Sequence, residues 1–63
     1  MAELFFQYKK TVYIFDTKQL KLFQIENGEL TEIKKQKTLQ NVRFKSVEIR
    51  ENQAYDLARR FAN

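Results

Sequence analysis

The sequence predicts an α+β domain, an antiparallel five-stranded meander followed by one C-terminal helix, and three observations carry that reading. From Leu4 to Ile33, β-branched and aromatic residues dominate and short polar pieces interrupt them, the pattern of consecutive hairpins. Within that stretch Asn27 and Gly28, the latter the only glycine, form the pair favoured in two-residue type I′ turns, because both central residues need positive φ. After it the period changes. Ala54, Leu57, Ala58, Phe61 and Ala62 recur at i, i+3, i+4, i+7 and i+8, the stripe of an amphipathic helix.

Taken in order, strands are expected at residues 3–8, 11–16 and 20–26. Lys9 and Lys10 make a tight break between the first two, and Asp16, Thr17, Lys18 and Gln19 form a longer polar connection suited to an Asp-led turn. The turn at Asn27 and Gly28 opens a fourth strand at 29–34. Residues 34–41 hold a single apolar side chain, Leu39, and read as a loop extending the flanking strands. A fifth strand is expected at 42–49. Its alternation of Val42, Phe44, Val47 and Ile49 slips by one after Phe44, as a bulge at Lys45 or Ser46 produces. The helix is expected at 51–62, with Glu51 and Asp56 toward its start and Arg59 and Arg60 in its last turns, complementing the helix dipole.

At 63 residues there is room for one core, so residues 1–63 are a single domain without linker or repeat. There is no Cys and no His, which excludes disulfides, thiolate chemistry and the usual zinc ligands together. Stability therefore rests on packing or on assembly. Six Phe and three Tyr supply the packing material, each burying roughly 150 to 250 Å². No apolar run approaches the roughly 18 residues of a membrane span, and the N-terminus lacks a secretion-signal pattern, so a cytoplasmic location is expected.

The strands carry one anomaly. Phe5 and Phe6 are neighbours, as are Val12, Tyr13, Ile14 and Phe15, so both faces of the first hairpin are apolar where a one-sided sheet would alternate. One short helix covers only one face. Either the sheet curls into a small barrel, the reading this coverage argument favours, or the second face is buried against another subunit or a partner.

Ordinary catalysis lacks its side chains here. Ser46 is the only serine, and no His exists to activate it. Glu26, Glu29 and Glu32 cluster around the Asn27–Gly28 turn without calcium-loop spacing and read as solvated acids rather than a metal site. No cofactor and no small-molecule substrate are expected. Twelve Lys and Arg against eight Asp and Glu give a formal charge of +4, which favours anionic partners. The densest part is Lys34, Lys35, Lys37, Arg43 and Lys45, with no acid between residues 33 and 46; on a strand, Arg43 and Lys45 would share a face. Such a cluster neutralises phosphates and releases counterions, the main source of sequence-independent nucleic-acid affinity, whereas the plainer alternative is a solvated loop. Most aromatics belong to the core, with Tyr8, Tyr13 and Tyr55 the ones whose hydroxyls favour the surface.

An apolar start leads to Phe6, Gln7, Tyr8 and Lys9, then to Asp16, Thr17 and Lys18, Leu20 and Lys21, the Asn27–Gly28 turn, and a final helix with Asp56, Leu57 and Arg60. In this order of features, over nearly its whole length, the chain resembles the small basic chromatin proteins of crenarchaea, which fold as an SH3-like barrel closed by a C-terminal helix and bind duplex DNA in the minor groove. The resemblance implies the barrel. It also implies backbone contacts by Lys9 and Lys21, which match basic contact positions. The DNA-wedging positions are not retained: Gln24 stands where the family has an aromatic, Glu26 and Glu29 where it has apolar wedges, and carboxylates there meet phosphates unfavourably. Glu32 also replaces a core aromatic, and the glycine-rich stretch before the last strand is missing.

Two functional classes follow. The first is a sequence-independent nucleic-acid-binding module, for DNA or RNA, gripping phosphates through Lys34, Lys35, Lys37, Arg43 and Lys45 together with Lys9 and Lys21. The second is a protein-binding regulator or inhibitor of the kind mobile elements encode, or a homodimer, using the apolar hairpin with Phe5, Tyr13 and Phe15 as its patch. In neither is the chain an enzyme, and neither involves a membrane. A homo-oligomer with structural duty is compatible with both.

Overall fold

Four consecutive segments with side chains alternating between two sides form β1 (Glu3–Tyr8), β2 (Thr11–Asp16), β3 (Lys21–Glu26) and β4 (Glu29–Ile33) in the computed structural model, which describes residues 3–61. They are followed by α1 (Gln36–Lys45), β5 (Val47–Ile49) and α2 (Glu51–Phe61). Ala62, the last member of the apolar stripe, lies outside the described residues. No helix among the described residues is long and apolar enough to cross a membrane.

The turns follow their residues. Asn27 and Gly28 both take positive φ, 52° and 78°, as a type I′ connection requires, and place Glu26 opposite Glu29. Asp16 Oδ1 accepts hydrogen bonds from the backbone N–H groups of Lys18 (2.8 Å) and Gln19 (3.1 Å), the Asx geometry of an Asp-led turn. That loop ends on Leu20 at φ 56°, and the first hairpin turns on Lys9 at φ 55°. Both are left-handed conformations that L side chains adopt at a cost.

The sheet is antiparallel throughout and open, with strand order β4-β3-β2-β1-β5. β4 and β5 are its two edges, so it does not close into the expected SH3-like barrel. Nor is it a simple meander. β5 returns to pair with β1 in the register Phe5↔Ile49, Phe6↔Glu48 and Gln7↔Val47. The expected fifth strand at 42–49 and the expected loop at 34–41 are both corrected. Residues 36–45 are helical, and only 47–49 extend as strand. The slip in alternation at Lys45 and Ser46 marks the junction of helix and strand, not a bulge.

This second helix resolves the two-faced hairpin. On one side of the sheet Phe5, Val12, Ile14 and Ile25 are buried with Ala54 of α2, and Ile49, Leu57, Ala58 and Phe61 pack around them. On the other, Tyr13 and Leu22 are buried with Val42 of α1, surrounded by Phe6, Tyr8, Phe15, Ile33 and Leu39. Neighbouring residues in a strand point to opposite sides, so Phe5 serves the α2 layer and Phe6 the α1 layer. Curling is unnecessary once each face has its own helix. Burial pushes the Tyr13 phenol above its ordinary pKa; a hydrogen bond with Thr11 pulls the other way, and the nearby Tyr8 adds to the rise.

Candidate nucleic-acid interface

Six of the ten residues of α1 are Gln, Lys, Arg or Leu, all good helix formers, and none is Gly or Pro. Lys35 sits at the helix entrance in an extended conformation without a side-chain cap, and its carbonyl accepts from the N–H of Leu39 at 3.0 Å. At the exit Ser46 leaves the helix at φ −81°, ψ 166°, and its hydroxyl donates to the Val42 carbonyl. Arg43 and Lys45 in the last turn complement the negative end of the dipole.

Helical rather than strand periodicity decides which side chains face solvent. Val42 is 5% exposed and anchors the inner face beside the half-buried Leu39. Gln36, Lys37, Gln40, Arg43 and Phe44, at i, i+1, i+4, i+7 and i+8, are all exposed and share the outer face. Phe44 is 73% exposed, and the Arg43 guanidinium lies over its ring with the carbon 5.3 Å from the centroid. An exposed contact of that kind contributes about 0.5–1 kcal/mol.

Charge is concentrated and unpaired on this element. Lys34 and Lys35 lead into α1, Lys37, Arg43 and Lys45 stand on it, and all five are exposed. Among the described residues the one ion pair is Arg60 Nη2 to Asp56 Oδ2 at 3.2 Å, on α2. Among the described residues, no carboxylate forms an ion pair with any of the five.

The other expected contacts do not join them. Lys9 is in the β1–β2 turn with its ammonium 5.4 Å over the Tyr8 ring, whereas Lys21 opens β3 opposite Asp16 at the other end of the sheet. A six-residue strand separates these ends by roughly 20 Å. The aromatic patch is corrected as well. Phe5 and Tyr13 are 4% and 6% exposed and belong to the two cores. Phe15 is half-buried and lines an open groove of about 460 Å³ beside α1, with Leu4, Phe6, Leu20, Leu22, Leu39, Val42 and Arg43.

As a loop, residues 34–41 give Gln36 and Gln40 no defined face, and nothing in the sequence singles out Leu20. The signals for α1 were its helix-forming composition, the three-residue spacing of Leu39 and Val42, and the two-faced hairpin asking for a second cover. Comparison of the chain with protein-family models, curated proteins and solved structures finds no match.

Proposed function

We propose that the chain is a non-enzymatic, cytoplasmic nucleic-acid-binding module that holds phosphates through Lys34, Lys35, Lys37, Arg43 and Lys45. The observation that supports it is one exposed helix with its lead-in carrying five cations, no acid and no internal ion pair. Cations that the protein leaves unpaired are available to displace the counterions condensed on a phosphate backbone. Lys9 and Lys21 play at most a peripheral part, because the sheet holds them at opposite ends. Fluorescence anisotropy with labelled DNA and RNA at low and high salt tests the reading; an affinity independent of salt sinks it.

A second reading, a protein-binding regulator, is favoured by a different observation. Leu20 is 74% exposed and held at φ 56°, an unfavourable place for a large apolar side chain, and it borders the groove beside α1. Among the described residues lining the groove, Arg43 alone is charged. An amphipathic partner helix with apolar anchors and a carboxylate for Arg43 matches that chemistry. Leu20→Asp then abolishes such a complex while the melting temperature stays within a few degrees of the parent; a complex that survives the substitution removes this reading.

A further inference from the structure

The outer face of α1 offers more than charge. Its exposed side chains include Gln36, Gln40 and Arg43, successive turns of one helix, with Phe44 beside them. Phosphate binding needs no amides. Glutamine is a paired donor and acceptor that matches the N6 and N7 edge of adenine, arginine matches O6 and N7 of guanine, and an exposed phenyl ring suits the thymine methyl group. These edges are presented together in the major groove of B-form DNA.

The dimensions agree with that target. Ten residues make α1 about 15 Å long, and with its side chains a helix is about 10–12 Å across, so it fits lengthwise in a major groove about 12 Å wide. Lys34 and Lys35 precede the helix and Lys45 closes it, so cations stand at both ends of the row of amides. With the helix lying along the groove, these two ends meet phosphates on either side of the contacted base pairs while Gln36, Gln40 and Arg43 point at the floor. From Gln36 to Arg43 is a rise of about 10 Å, the span of about three base pairs at 3.4 Å each. A-form RNA does not accept such an element, because its major groove is too deep and narrow for side chains to read.

We infer that α1 is a recognition helix for the major groove of duplex DNA, with Gln36, Gln40 and Arg43 at base edges and Lys34, Lys35 and Lys45 on the flanking phosphates. This rests on the phosphate-binding reading and adds the form of nucleic acid, the groove and a short sequence preference. The groove is the opposite one to that implied by the resemblance to chromatin proteins, whose minor-groove wedging residues this chain lacks.

The test uses the full chain and three probes: a DNA duplex, an RNA duplex of the same sequence, and a randomised DNA duplex pool carried through rounds of selection. Binding to the DNA duplex is expected to be displaced by methyl green, a major-groove ligand, and not by netropsin, a minor-groove ligand. The RNA duplex is expected to bind about tenfold or more weakly. Selection is expected to enrich a preference of about three base pairs, and Gln40→Ala, at an exposed helical position, to flatten it without changing the salt dependence. Salt-dependent binding that netropsin alone displaces, or that is equal for RNA, or a preference that Gln40→Ala leaves intact, overturns the recognition helix but leaves phosphate binding standing. No binding to any probe at about 50 mM salt overturns both.

Discussion

Val42→Asp unfolds the domain and Phe44→Asp leaves it folded, as read by circular dichroism and urea melts. On a strand these two residues share a face, so a strand at 42–49 demands similar effects from both. On α1 they lie about 200° apart, one against Tyr13 and Leu22 and the other in water. Val42→Asp loses roughly 2 kcal/mol of apolar burial, and the ionised carboxylate it places among aromatic and aliphatic groups costs several kcal/mol more. At about 0.05–0.15 kcal/mol per residue, 63 residues have a total stability of only about 3–9 kcal/mol, so this single change consumes most or all of it. Phe44→Asp loses an exposed cation–π contact and puts a negative charge near the helix C-terminus, together about 1 kcal/mol. Equal midpoints for the two variants would restore the strand.

Raising salt from about 50 to 200 mM weakens nucleic-acid binding by about 500-fold if all five cations contact phosphate, and by about 150-fold if Arg43 sits at a base edge instead, since each contact contributes a slope of about 0.9 in log affinity against log salt. Lys34→Ala, Lys35→Ala and Lys37→Ala combined leave two contacts or one, and the same change of salt then costs only about 12-fold or about 4-fold. The slope is the informative quantity. All three lysines are exposed, and among the described residues none is in an ion pair, so the triple variant keeps its fold. An unchanged slope in the triple variant would falsify the assignment of phosphate contacts to α1 and its lead-in.

Much of the fold was legible because it is local. Strands with β-branched and aromatic residues, an Asn-Gly turn, an Asp-led turn and an apolar stripe at helical spacing each act over a few residues, and β1 to β4 and α2 form close to where those signals put them. The middle of the chain was not legible because its signals conflict. Val42, Phe44, Val47 and Ile49 fit a strand nearly as well as Leu39 and Val42 fit a helix, and only the uncovered face of the first hairpin discriminates between them. That constraint is tertiary. It shows in the sequence as an excess of apolar residues on β1 and β2, which barrel closure or a partner accounts for as well as a helix from the same chain does.

The candidate site was legible in composition and not in geometry. The run from Lys34 to Lys45 shows the cations in the sequence, yet a strand would put Arg43 and Lys45 on one face and leave the glutamines without one. A helix instead turns Arg43 toward Gln40 and Gln36 and sends Lys45 to its flank. Lys9 and Lys21 match basic contact positions only through the family resemblance, and the length of β2 keeps them at opposite ends of the sheet.

The pairing of β5 with β1 also sets an order of assembly in time. β1 to β4 zip through connections of two to four residues, whereas Phe5 meets Ile49 only after most of the chain has closed between them. Closing a loop of about 40 residues costs about 2–3 kcal/mol more than closing a two-residue turn. The last strand therefore waits for α1 to settle across the sheet, and its contacts are made on the native side of the folding barrier. In stopped-flow kinetics Ile49→Ala accordingly quickens unfolding and spares the folding rate, a slowed folding arm being the contrary result, so β5 acts as the latch that governs how long the folded state lasts rather than how fast it is reached.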